Sequence, residues 1–134
     1  MSIKVQGTVV IDDTQNFTAN TITGKIAPRA VVISNAASIT INSDTTDLYE
    51  VTALAVPLTI NIPTGNVTDG QKLLIKLKDS GSAQTLTWNV ATKGFRIIGT
   101  TLPTTTTASK ITYVGSIYNS TDSYWDVIAV TTQA

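Results

Sequence analysis

Carboxylates are the side chains of this sequence best placed to act in pairs. Asp44, Asp47 and Glu50 share one short stretch, and Asp122 and Asp126 share another. Two carboxyl groups about 5 to 9.5 Å apart across an open cleft can hydrolyse a glycosidic bond, one as acid and the other as nucleophile or base. The local sequence argues for a plainer role. Asp44 and Asp122 sit among Ser and Thr, where short polar side chains cap turns in the backbone. Asp12, Asp13 and Asn16 offer oxygens to a divalent cation, but a calcium loop spaces more ligands at regular intervals, so a turn is expected there. Histidine and cysteine are both absent. That excludes imidazole bases, Ser-His-Asp and Cys-His nucleophiles, thiolate metal sites and disulfides. The eight glycines are dispersed and form no phosphate-cradling motif. The expectation is a chain that is not an enzyme and that holds no cofactor and no metal.

Aromatic rings could still stack on a sugar or a base. Trp88, Tyr113, Tyr118, Tyr124 and Trp125 all fall in the second half of the chain. Trp88 shares alternation parity with Leu86, and Trp125 with Val127 and Ala129, which points to burial for both tryptophans. Tyr118 and Tyr124 flank the last turn and are the expected surface contacts. Asn16, Asn66 and Asn119 each begin an Asn-x-Ser/Thr triplet and read as turn residues, not as glycan acceptors.

The elements that must position these groups are strands. The sequence holds 25 Thr, 15 Ile and 12 Val, so β-branched residues fill 52 of 134 positions and favour pleated, half-buried surfaces over helices. The best helical periodicity, Asp47 to Ala55, is crowded by β-branched neighbours and followed by Pro57. Ile3, Val5, Val9 and Ile11 predict a first strand that ends at the polar run Asp12 to Asn16. Weaker β segments are expected at Thr21 to Ile26, Ala30 to Ser34 and Ser38 to Asn42. The alternation then sharpens at Leu58 to Ile62 and at Gln71 to Lys78, where Leu73, Ile75 and Leu77 oppose Lys72, Lys76 and Lys78. Asp79-Ser80-Gly81-Ser82 leads to Gln84 to Asn89, and the two runs read as a hairpin. A short strand is predicted over Phe95 to Ile98. After the Thr-rich loop Thr100 to Ala108, Ile111 to Tyr118 and Tyr124 to Val130 form a second hairpin. Strands at this spacing with no helices between them predict an all-β fold, a β-sandwich or jelly-roll-like module with an extended N-terminal β arm. The expected division is an arm over residues 1–47 and a sandwich domain over 48–134.

A chain of this length supports one hydrophobic core. Nine basic and nine acidic residues give zero net charge with no basic patch, so neither nucleic acid nor an anionic membrane is an expected partner. The first residues lack the apolar centre of a secretory signal, and no run of about 18 apolar residues is long enough for a spanning helix, which sets cytosolic synthesis as the expectation. With only 13% charged residues and no crosslinks, stability has to come from packing, backbone pairing and oligomerisation.

Four segments carry a resemblance: Val67-Thr68-Asp69-Gly70-Gln71-Lys72-Leu73, Leu86-Thr87-Trp88-Asn89, Leu102-Pro103-Thr104-Thr105-Thr106 and Tyr124-Trp125-Asp126-Val127-Ile128-Ala129-Val130. They resemble the C-terminal β module of virion structural proteins of tailed bacteriophages, tail-fibre and head-decoration components among them. The opening Ile3 to Asp13 is similar to the N-terminal segment of such proteins. The resemblance implies a non-enzymatic virion protein, assembled in the host cytoplasm and often trimeric, with the major capsid protein or other virion proteins as partners. A complete fibre needs a long shaft, and this chain shows no repeat from which to build one. A capsid decoration, or cement, protein is therefore the first expectation. A short tail-fibre, tail-tip or baseplate protein that binds a receptor or glycan is the second. In the cementing role the arm residues Ile3, Val5, Val9 and Ile11 would add strands to neighbouring subunits, and removing the first 40 residues would leave a folded core.

Overall fold

The computed structural model describes residues 27–134 together with the backbone of Ile3–Val5 and Thr8–Ile11. The expected strand at Thr21 to Ile26 and the Asp12, Asp13 and Asn16 cluster lie outside the described residues. The segment expected as one first strand is two: β1 (Ile3–Val5) and β2 (Thr8–Ile11) pair antiparallel with each other, with Lys4 opposite Val9.

The remaining elements are all strands: β3 (Ala30–Ile33), β4 (Ser38–Ile39), β5 (Leu48–Leu54), β6 (Leu58–Ile60), β7 (Lys72–Asp79), β8 (Leu86–Trp88), β9 (Phe95–Ile97), β10 (Ile111–Asn119) and β11 (Tyr124–Thr132). The segment with the best helical period, Asp47 to Ala55, is the strand β5, as its β-branched content favours. The strands form a mixed six-stranded sheet, ordered β3-β5-β7-β10-β11-β9, and a three-stranded sheet, ordered β4-β6-β8.

From β3 to β8 the chain visits the two sheets alternately, so each turn of its path gives one strand to each sheet. Strands laid down this way run parallel: β3, β5 and β7 in the large sheet, and β4, β6 and β8 in the small one. This corrects the hairpin expected between Gln71 to Lys78 and Gln84 to Asn89, because β7 and β8 belong to different sheets. Only the last part of the chain folds back on itself. β10 pairs antiparallel with β7 and with β11, the second hairpin that the alternation predicts, and β9 joins the outer edge of β11 in parallel.

Both sheets turn their apolar parity onto one core. In the large sheet Tyr49, Ile75 and Val114 stand side by side and are buried, and Leu58, Ile60 and Leu86 meet them from the small sheet. Burying each such side chain contributes about 1.5–3 kcal/mol. Ile39 and Ile41 belong to the same core, and β3 is a member of the large sheet. The boundary expected at residue 47 therefore cuts through the packed body, and removing 40 residues would take β3, β4 and a core isoleucine with it. Two glycines are fixed by backbone geometry. Gly70 has φ +76° in the turn closed by the Gln71 amide on the Thr68 carbonyl, and a Cβ on Gly94 would lie 2.2 Å from the Asn89 carbonyl oxygen.

Candidate interaction sites

The ends of the strands gather the polar side chains into three clusters. In the first, Arg29 just before β3 meets Asp47 just before β5. Its Nε and Nη2 donate to the two carboxylate oxygens at 3.0 and 2.5 Å, and its backbone amide donates to the same carboxylate at 2.9 Å. Those bonds hold Asp47 down to about 2 from its ordinary 3.8. A cleft of about 460 Å³ opens beside the pair, lined by Arg29, Ser43, Asp44, Asp69 and Gln71 among others. Both further carboxylates in it are engaged. Asp44 accepts the Asn66 amide at 2.8 Å, and Asp69 accepts the Ser120 amide at 2.8 Å, a bond that lowers its pKa.

The second cluster sits at the opposite edge of the large sheet. Arg96 in β9 grips Asp126 in β11 with Nε and Nη2, at 2.7 and 3.0 Å, and reaches Asp122 with Nη1 at 2.8 Å. The register places Arg96 directly beside Asp126. Asn119 donates to both carboxylates, and the guanidinium stacks over the Tyr124 ring at 5.1 Å. The Arg96 bonds, with that of Asn119, pull Asp126 below the usual carboxylate range. A groove of about 380 Å³ lined by Val90, Phe95, Arg96, Ile97 and Tyr124 runs alongside, and Val90 and Ile97 are 59% and 48% exposed.

The third cluster is buried. Asp79 ends β7 on the core parity of Leu73, Ile75 and Leu77 and is 1% exposed. Its carboxylate accepts the Thr106 hydroxyl at 2.6 Å and the amides of Gly81 and Ser109 at 2.7 and 3.0 Å. Burial pushes this carboxyl up, but the three hydrogen bonds together pull it further down. They also fix the Thr-rich segment across the end of the small sheet. The Leu86 amide donates to Thr104, the Thr106 amide donates to Gln84, and Thr85 bridges Thr105 antiparallel. Pro103 accepts the Trp88 indole N–H at 2.8 Å.

The remaining acid of the expected sets, Glu50, pairs with Lys76 at 2.6 Å on the solvent face of the large sheet. Asp44 and Asp47 do share the Arg29 region, and Asp122 and Asp126 do converge, but on one guanidinium. Among the described residues no group of three or more acids could hold a metal ion, and no helix is long and apolar enough to cross a membrane.

Tyr118 is a correction to the expected surface contacts. It shares the inward parity of Thr112, Val114 and Ser116, is 7% exposed, and packs its ring 5.4 Å from Trp125. Tyr124 is half-buried and lines the groove beside Arg96. Trp125 is buried, as its parity predicts, and Trp88 is half-buried edge-on against Phe95. Ile3, Val5, Val9 and Ile11 fall in β1 and β2.

Sequence reasoning passed over Arg29, Arg96 and Asp79. For Asp79 the signal was present, since a carboxylate in phase with Leu73, Ile75 and Leu77 has to face inward and find donors. No comparable signal marked the arginines, whose partners lie far along the chain.

The two ends of the winding differ. Beyond β8 and β7 lie Thr104 to Thr106 and β10, whereas β3 and β4 are edge strands with no described strand on their outer sides. No protein-family model matches the chain, and no curated protein or solved structure matches it either.

Proposed function

We propose that this chain is a non-catalytic structural subunit of a tailed-phage virion, a decoration protein that cements neighbouring capsid subunits. One observation carries the reading: the winding is covered at its C-terminal end, while among the described residues no strand pairs with the outer sides of β3 and β4. An open edge is a template for a strand from another chain, and monomeric proteins blunt such edges. The phage assignment itself rests on the resemblance of the Val67 to Leu73 and Tyr124 to Val130 segments.

The state of the carboxylates supports a mechanical role. Each acid of the Arg29, Arg96 and Asp79 clusters already accepts a hydrogen bond, and those bonds hold the carboxyls of Asp47, Asp69, Asp79 and Asp126 below the ordinary carboxylate range. A general acid needs a raised pKa. In the assembled particle the body acts as two sheets around one core, a sandwich in that loose sense. Its parallel ladders set it apart from an antiparallel jelly-roll. The resemblance supports a trimer seated on the major capsid protein.

Electron cryo-microscopy of intact particles, with this chain labelled, tests the reading. Density at junctions between capsid subunits is the expected result, and absence from the particle overturns it. The groove beside Arg96 and Tyr124 favours one second reading, a tail-fibre, tail-tip or baseplate protein that holds a glycan there. Density at the tail tip, with binding on a glycan array that Tyr124→Ala removes, would select it.

A further inference from the structure

Among the described residues neither the outer edge of β3 nor the hairpin β1–β2 has a further partner strand, and their chemistry matches. On β3 the Arg29 carbonyl accepts the amides of Asp47 and Leu48, and the Ile33 carbonyl accepts the Thr52 hydroxyl. Backbone groups of alternate residues point to the same side of a strand, so Ala30 and Val32 present their N–H and C=O groups to the open side. The strand reads Ala-Val-Val-Ile, with no charge and no proline inside it to deter pairing.

The hairpin has the complementary deficiency. Its strands of three and four residues pair only with each other among the described strands, and an isolated two-stranded hairpin is marginal in water. A third strand would complete it. Lys4 guards β1, whereas β2 reads Thr-Val-Val-Ile, uncharged and equal in length to β3.

On the particle-building reading, we propose that copies of this chain associate by strand exchange, β2 of one copy pairing along the open edge of β3 in the next. A second copy is the occupant because, among the described residues, neither edge has a partner strand. The contact joins two different surfaces, each copy giving one strand and receiving one, so three copies can close it into the ring that the proposed trimer requires. It needs no charged contact, in keeping with a chain of zero net charge.

The absence of cysteine makes the test direct, because any introduced thiol is unique. Tagged full-length chain with Val9→Cys or Val10→Cys is mixed with untagged chain bearing Val32→Cys and then oxidised. The expected product is a disulfide-linked pair of tagged and untagged chains from at least one of the two combinations. If neither forms, or if chains bearing both cysteines close on themselves within a monomer, the proposal is overturned.

Val32→Lys and Val32→Pro, which leave the β3–β5 ladder untouched, should each weaken self-association at least about tenfold by sedimentation while the melting temperature at low protein concentration stays put. Unchanged association in both variants would also overturn the exchange. A protein that is monomeric yet still decorates particles refutes the exchange and leaves the particle reading standing. Self-association through β2 and β3 in a chain absent from particles does the reverse.

Discussion

The two ends of the parallel winding are built from the same kind of strand, yet among the described residues only the C-terminal one is sealed. At the C-terminal end a buried carboxylate, Asp79, draws in Thr106 and two backbone amides, and the Thr-rich segment is pinned over the small sheet. At the N-terminal end β3 and β4 have comparable apolar residues, but among the described residues no polar anchor brings chain across them. The difference teaches that β-branched alternation makes strands and burial makes the core, while covering an edge takes a separate set of hydrogen bonds. Where that set is missing, another chain can supply the cover.

The sealed end should break first. Asp79→Ala removes the acceptor of three hydrogen bonds in a site with almost no access to water. The orphaned donors and lost charge-assisted bonds should cost about 3 kcal/mol, lowering the melting temperature by roughly 10 °C in thermal denaturation followed by circular dichroism. Thr106→Val, which deletes the donor to Asp79 and the acceptor of the Gln84 amide while keeping the shape, should cost about 1–2 kcal/mol in the same assay. Equal losses in the two variants would mean that Asp79 does not organise the seal.

The opposite edge of the large sheet gives a smaller effect. Arg96→Met leaves Asp126 with Asn119 as its remaining donor and Asp122 exposed to solvent. Because the Arg96 side chain is 31% accessible, the cost should fall below that of the buried Asp79 site. Denaturant unfolding monitored by the fluorescence of Trp88 and Trp125 measures it, and no change in midpoint would count the cluster as surface decoration.

Acid should blur the contrast between the ends. A carboxyl whose folded pKa lies below its ordinary value stabilises the fold above that ordinary value and loses the contribution as pH falls toward the folded one. Asp47, held at about 2 against 3.8, loses its share between about pH 4 and 2. Asp79 and Asp126 are lowered as well, so the sealed end and the Arg96 cluster weaken in the same direction. With no histidine in the sequence, the melting temperature should be flat from about pH 5 to 8 and fall below about pH 4. A step near pH 6 would contradict this account.

Strand identity was legible in the sequence because two-residue alternation is a local property. Leu73, Ile75 and Leu77, or Val114 and Val127, declare their faces without reference to anything distant. The hairpin of β10 and β11 was legible for the same reason, its turn Asn119 to Ser123 being short and polar. The parallel winding was not. Ala30 lies beside Leu48 and Leu48 beside Leu74, so successive turns differ in length and leave no repeat to find. The short link after Asp79 looked like a hairpin turn, but the inward carboxylate holds the chain where it crosses to the other sheet. Tyr118 was misplaced by its nearness to a turn, although its parity with Val114 and Ser116 already put it in the core.

The open end should show the smallest effect on stability of the isolated chain. Val32 is 59% exposed at an edge whose outward groups meet no described strand, so Val32→Lys removes little buried apolar area and breaks no ladder bond. A surface change away from such contacts shifts stability within about 0.5 kcal/mol, and the lysine stem can still lie along the strand. Thermal denaturation at low protein concentration should therefore leave wild type and Val32→Lys indistinguishable. At high concentration the wild type should melt later, because association with a second copy adds stability by mass action and the variant lacks it. A concentration-independent gap between the two would show that Val32 supports its own chain, and the two ends would then differ less than the strand order implies.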